Sequence, residues 1–311
     1  MTDPILATAS PPDCTHPSAT STTRLGFVGL GNIGAPMAGA LAHWPAGLTV
    51  FDLDPHATAQ IVDRGATAAD SLADLAATSD IIGICVRDDH QVGAVVDELL
   101  TTAAPGTIIV VHSTISPHTA TQLAESAAQQ GVSLLDAPIS GGAAGAASGR
   151  LALMVGGPRA AFEAITEPMA SVADLIVHAG EKVGSGTSMK LARNLLHFIS
   201  FTATAEAQRL AAAAGLDLGT LGKVVRHSDA VTGGAGAIMV RESTADIAPD
   251  EFWYPIFTAV RELGEKDLAL AYELGAELGL DLPMTNHARR ELASALGVPH
   301  QPGTTESQEN R

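Results

Sequence analysis

RLGFVGLGNIG, residues 24–34, is a short apolar run ending in Gly29-x-Gly31-x-x-Gly34, and a helical stretch at 36–43 follows it. Each glycine has its own physical task. Gly29 permits a tight turn, Gly31 lets a pyrophosphate approach the backbone, and Gly34 allows a helix to pack closely on the strand. The helix start then offers N–H groups without intrahelical partners, and the positive end of its dipole, to the phosphates. Gly29, Leu30, Gly31, Asn32, Ile33 and Gly34 are therefore candidate cofactor-binding residues. The next strand-like run, 48–52, ends at Asp52, 21 residues past Gly31. A carboxylate there binds the adenosine ribose hydroxyls and repels a 2′-phosphate, which favours NAD. Asp54 is a second acid in the same turn, and NADP is left open.

Outward from this loop, β-branched runs at 80–86, 107–111, 132–135 and 151–155 alternate with amphipathic helical stretches at 90–100 and 117–129. Strand–helix alternation at this spacing predicts a parallel, doubly wound α/β sheet of the Rossmann type. After about Gly184 the strand signals stop. Helical stretches at 189–215, 217–225, 260–278 and 285–296 follow, with Gly215, Gly279 and Gly297 where glycines end helices. The expected organisation is a disordered leader over 1–22, a dinucleotide-binding domain over 23–183, an all-helical domain over 184–301 and a disordered tail over 302–311. The junction between the two domains is a natural place for a ligand cleft.

The 311 residues are 46% hydrophobic and 16% charged, a globular composition long enough for two cores. The formal charge of −17 opposes binding to a phosphate backbone, so nucleic acid is not an expected partner. No apolar run reaches a membrane span, and the N-terminus lacks the basic and apolar regions of a secretory signal. Cys14 and Cys85 stand far apart and suggest neither a disulfide framework nor a metal knuckle. A soluble, cytoplasmic protein is expected. Scattered histidines at 112, 178, 197, 227 and 287 carry no metal spacing, and no metal is predicted.

Four motifs in order then become informative: GFVGLGNIGAPMAGAL (26–41), DAPISGG (136–142), GSGTSMKLARN (184–194) and KDLALA (266–271). Together they resemble the β-hydroxyacid dehydrogenases typified by 3-hydroxyisobutyrate dehydrogenase, over nearly the whole ordered chain. The resemblance implies oxidation of the hydroxyl of a small β-hydroxy acid, or reduction of its semialdehyde, with a nicotinamide cofactor. It implies Lys190 as general acid/base with Asn194 orienting the hydroxyl or the lysine. The two lie at i and i+4, on one face of a helix. A free lysine is protonated at neutral pH, so burial and neighbouring positive charge must lower its pKa for it to act as a base. By the same carry-over Ser140, Gly141 and Gly142 hold the substrate carboxylate, and Lys266 reaches the cofactor or the active-site cleft. Val86 and Arg87, and Ser113 and Thr114, lie at the carboxyl ends of two strands, where ligands of open α/β sheets bind, so Val86, Arg87 and Thr114 are cofactor candidates and Ser113 a substrate candidate.

Arg87 replaces a proline usual in the family, Val111 an aspartate, and Arg193 the first Asn of a usual Asn-Asn pair. These departures argue against copying the family's best-known substrate. Imine reductases resemble the chain too but lack a lysine at the Lys190 position. 6-Phosphogluconate dehydrogenase carries a much longer helical domain. A non-catalytic dinucleotide-binding sensor is the alternative from another class, against which the joint presence of Lys190, Asn194 and Ser140 weighs. Ala-rich helical faces in the second half suit a subunit interface, so a homodimer or homotetramer is expected.

Overall fold

The structure, a computed structural model, describes residues 21–300. Residues 1–20 and 301–311, which hold most of the expected leader and tail, lie outside the described residues. The chain divides into two compact units, one ending at Arg193 and the other beginning at Asn194.

In the first unit the described strands are β1 (Leu25–Val28), β2 (Leu48–Phe51), β3 (Thr67–Ala68), β4 (Ile81–Ile84), β5 (Ile108–Val111), β6 (Ser133–Asp136), β7 (Ile139–Ser140), β8 (Leu151–Gly156) and β9 (Ala173–Gly180). Their order across the sheet is β3-β2-β1-β4-β5-β6-β8-β7, with β9 also paired to β8. From β3 through β6 every pairing is parallel, with Leu25 opposite both Leu48 and Ile81. β8 runs antiparallel to β6 and β7. Parallel neighbours require crossovers, supplied by helices α1 (Gly34–Leu41), α2 (Pro55–Val62), α3 (Leu72–Ala77), α4 (Asp89–Leu99) and α5 (Pro117–Ala128). Short α6 (Gly142–Ala147) and α7 (Arg159–Met169) complete the set.

Both faces of the sheet are covered, as a parallel sheet demands. Leu25, Phe27, Ile81 and Val110 pack with Met37, Leu41, Phe162 and Ile165 in one core. Val28, Ile82, Ile84, Ile109 and Val111 pack with Leu75, Val92, Val96 and Leu123 in a second. Adjacent strand residues thus serve opposite cores, and this produces the near-continuous apolar runs IIGI and IIVV. The chain leaves β1 toward β2 on one side and later returns to β4 on the other. A crevice opens where the strand order reverses in this way.

Helix α8 (Ser185–Ala213) begins in the first unit and continues into the second. The strand signals end ten residues before the division, near the 183/184 boundary expected from the sequence, because the first two turns of α8 pack with the sheet. The second unit adds α9 (Leu218–Thr232), α10 (Trp253–Glu277) and α11 (Pro283–Leu296). Its small core gathers Ile247, Phe257, Leu296 and Val298. Gly215, Gly279 and Gly297 have φ of 75°, 70° and 68°, the left-handed conformation that ends a helix with least strain at glycine. No helix among the described residues is long and apolar enough to cross a membrane.

Candidate active site

The crevice at the β1/β4 reversal is a groove of roughly 860 Å³. Gly29, Gly31, Asn32, Ile33, Gly34, Asp52, Val86 and Arg87 line it, whereas Leu30, expected among them, is not part of the lining and turns its side chain into the core, 4% exposed. Gly29 has φ 90°, and a Cβ there would run into the Cys85 carbonyl oxygen. A Cβ on Gly34 would strike the Gly29 carbonyl oxygen, so helix and strand approach as closely as the sequence implies. A Cβ on Gly31 would meet nothing within 4 Å. It would instead fill the open cradle in front of α1, whose N-terminus has no side-chain cap. Open space beside uncapped N–H groups suits a pyrophosphate, so these residues fit a dinucleotide.

Asp52 stands at the rim of this cradle. Its Oδ2 accepts from the Leu30 N–H at 2.5 Å and its Oδ1 from the Asp54 N–H at 2.8 Å. Asp54 instead caps α2 by accepting from the His56 N–H at 2.9 Å. The two acids of the turn are thereby separated, and Asp52 is the one that lines the groove. Asn32 is exposed and Ile33 half-buried beside it.

Ser113 ties the ends of β4 and β5 together. Its hydroxyl donates to the Val86 carbonyl at 2.7 Å and accepts from the Val86 N–H at 2.9 Å. Its single proton is used there, which leaves only acceptor capacity for a substrate. Thr114 is exposed, as is Arg87, whose N–H donates to Gln91 Oε1 at 3.0 Å. His112, next to Ser113, is fully buried, and its Nδ1 lies 3.0 Å from the Ala137 carbonyl oxygen. Burial pushes its pKa down to about 4, so the ring is neutral near pH 7.

Ser140 ends β7, Gly141 has φ 129°, and Gly142 opens α6 with φ 63°. A Cβ on Gly142 would point into open space. Lys190 lies in the second turn of α8 and is only 9% exposed. Burial first, and the Arg193 charge second, lower its pKa. Both are the causes an amine base requires. Asn194 follows one turn later on the same helix and is half-buried. Lys266 lies in α10 of the second unit, exposed, with Nζ 3.1 Å from Asp267 Oδ1. The first unit therefore brings the glycine loop, Asp52, Val86 and Arg87 onto one groove, whereas Lys266 belongs to the second unit. Among the described residues no group of three His, Cys, Asp or Glu could hold a metal ion.

Residues 24–180 match the NAD binding domain of 6-phosphogluconate dehydrogenase. Residues 184–305 match the NAD-binding domain of NADP-dependent 3-hydroxyisobutyrate dehydrogenase. The chain belongs to the β-hydroxyacid dehydrogenase family. As a β-hydroxyacid dehydrogenase it takes a nicotinamide dinucleotide, and the cradle in front of α1 has the shape for one. An uncharacterised oxidoreductase of Mycobacterium tuberculosis (strain H37Rv) is 55% identical over 92% of this chain and 96% of its own length. The crystal structure of an oxidoreductase from Mycobacterium avium 104 is 52% identical, covers 89% of this chain and all of its own, and superposes with a TM-score of 0.86. The 3-hydroxyisobutyrate dehydrogenase of Pseudomonas aeruginosa (strain PAO1) is 34% identical over 86% of this chain and 90% of its own.

Proposed function

We propose that this dehydrogenase oxidises the hydroxyl of a small β-hydroxy acid, or reduces the matching semialdehyde, with NAD preferred and Lys190 as the general acid/base. The observation that carries the reading is Lys190 itself, a lysine buried on the first turns of α8 with its pKa lowered and no carboxylate among the causes. A buried lysine whose pKa is lowered is suited to proton transfer. The bound dinucleotide supplies uptake of a hydride from the hydroxyl-bearing carbon. Lys190 Nζ, as the neutral amine, takes the hydroxyl proton; in the reverse direction the ammonium returns it to the oxygen. Asn194, on the same helix face, orients the hydroxyl. Ser140 and the backbone N–H groups of Gly141 and Gly142 hold the carboxylate, for which two adjacent glycines leave room. Ser113 supports this site by fixing Val86.

Asp52 supports the NAD preference, because a 2′-phosphate would face its carboxylate, and Leu53 and Asp54 beside it supply no cation. Arg87 on the same groove is the feature that keeps NADP in the test. The working unit is proposed to be a homodimer or homotetramer built on the helical unit.

Initial rates with NAD and NADP against 3-hydroxyisobutyrate, 3-hydroxypropionate, serine, D-glycerate and 4-hydroxybutyrate test the reading. Lys190→Ala should lose at least about a hundredfold in turnover while still binding NAD, since general acid–base catalysis contributes of that order. Near-normal turnover in Lys190→Ala would sink the mechanism. Silence of the wild type across the panel with NAD bound would favour the sensor.

A further inference from the structure

Asp136 ends β6, is fully buried, and touches neither the groove nor any cation. Both its oxygens are directed at the start of α8. Oδ1 accepts from the Gly184 N–H at 2.7 Å and Oδ2 from the Thr187 N–H at 2.6 Å. A helix start leaves its first N–H groups without intrahelical partners; here the Lys182 carbonyl accepts from the Ser185 N–H at 3.1 Å, but Gly184 has no side chain with which to cap the Thr187 N–H. A carboxylate 48 residues before Gly184 does so instead. The negative charge also complements the positive end of the helix dipole.

The joint around this carboxylate is as close as two backbones can come. A Cβ on Gly186 would run into the Met154 carbonyl oxygen and lie 2.6 Å from that of Asp136. A Cβ on Gly156 would lie 2.6 Å from the Gly186 nitrogen. Gly184, at φ 96°, makes the turn into the helix. Glycines at 156, 184 and 186 thus let α8 sink between β6 and β8, and Asp136 bolts it there. Thr187, fully buried, is one of the two bonded donors, and Lys190 follows it by one turn on the same face. A helix transmits position along its axis at a rise of about 1.5 Å per residue, so fixing Thr187 fixes the Lys190 backbone against the sheet.

We propose that Asp136 is a positioning residue for the reaction, holding the start of α8 so that Lys190 is presented in one place and kept from solvent. The proposal rests on Lys190 being the acid/base. Nothing in the family signature at 136–142 requires this role of its first residue; it follows from the two bonds and the three glycines.

Asp136→Asn tests it, because the amide keeps the shape and one acceptor but turns an NH2 toward one of the two N–H donors. Three quantities are measured: kcat and KM with the best substrate of the panel, the Kd for NAD, and the rate at which an acetylating ester labels Lys190, followed by mass spectrometry with exposed Lys223 as internal reference. Displacement of a reacting group by about 1 Å costs of order a hundredfold. A fall in kcat of roughly 10- to 100-fold is expected, with KM and NAD affinity within about threefold. Labelling of Lys190 should rise relative to Lys223. Unchanged kcat and unchanged Lys190 labelling overturn the proposal, as does a joint collapse of kcat, NAD affinity and thermal midpoint. Gly186→Ala attacks the same joint from the helix side and must give the same pattern if Asp136→Asn fails to fold. Near-normal turnover in Lys190→Ala would remove the acid/base reading alone, and the labelling ratio would still report whether Asp136 holds Lys190.

Discussion

At Asp52 one oxygen accepts from the Leu30 N–H and the other from the Asp54 N–H, so the carboxylate is held still at the rim of the dinucleotide groove. A fixed charge discriminates better than a mobile one, because no reorientation relieves its repulsion of a 2′-phosphate. Asp52→Ser should therefore shift the ratio of kcat/KM for NAD over NADP toward NADP by about 10- to 100-fold, mostly through KM for NADP, as loss of roughly 1–3 kcal/mol of discrimination implies. An unchanged ratio would show that Arg87, not Asp52, governs the choice. Spacing from Gly31 made Asp52 legible in the sequence, since the strand and turn that carry it have fixed lengths. Lys190 was legible only through its motif: nothing in TSMKLARN says that this lysine is buried while Ser188 and Met189 beside it are exposed. The role of Asp136 was not legible at all, for it depends on two donors 48 and 51 residues away. Its one trace is an acid closing the buried run SLLD.

Among whole elements, the joint between α8 and α11 repeats the device found at Asp136. Glu206, 4% exposed on α8, accepts from the Met284 and Thr285 N–H groups at 2.7 and 2.9 Å and from the Thr285 hydroxyl at 2.9 Å. Burial alone would raise this carboxyl, but those donors and Arg209 outweigh it and leave it below the ordinary glutamate range. A pKa depressed by folding contributes stability that is complete above the unfolded value near 4.5 and is lost as pH falls through the folded value. Glu206→Ala should lower stability by about 1–2 kcal/mol, the cost of a lost N-cap, and should flatten the acid limb of a urea-midpoint profile below about pH 5. An unshifted midpoint at pH 7 would show α11 needs no such cap. The central strands β1, β4, β5 and β6 were readable because most of their residues are buried, whereas the two-residue, exposed β3 at the parallel edge was not. Nor was β9, since as an edge strand it buries little beyond Ala173. α7 is not among the helical stretches named from the sequence, although Ala161, Phe162, Ile165 and Met169 are buried at helical spacing, and Pro168 is accommodated in its last turn.

For the molecule as a whole, the second unit is short of core. α9 has no buried residue, and its Leu218, Val224, Val225 and Val231 are exposed. On α8 Leu195, Phe198 and Phe201 are exposed as well, with the rings of Phe198 and Phe201 in edge contact. A 15-residue helix that buries nothing is marginal in water, so these faces need a cover. Residues 1–20 and 301–311 are rich in Ser, Thr and Pro, with Met1, Ile5 and Leu6 as their large apolar side chains. A cover made mainly of uncharged apolar side chains is the composition of an interface that is permanent, and a second copy of the chain offers the same faces in return. Light scattering should then give twice the 31.7 kDa chain mass, or four times for a homotetramer, at micromolar concentration. Two chains of charge −17 repel, so dissociation on dilution should be greater at low ionic strength than at 0.5 M salt. Val225→Glu, placing a new carboxylate on the α9 face, should shift the mass toward the monomer and lower the helical signal together, because α9 is proposed to be stable only when covered. A wild-type monomer that keeps its full helical signal across that salt range would refute the oligomer and show that α9 stands without it.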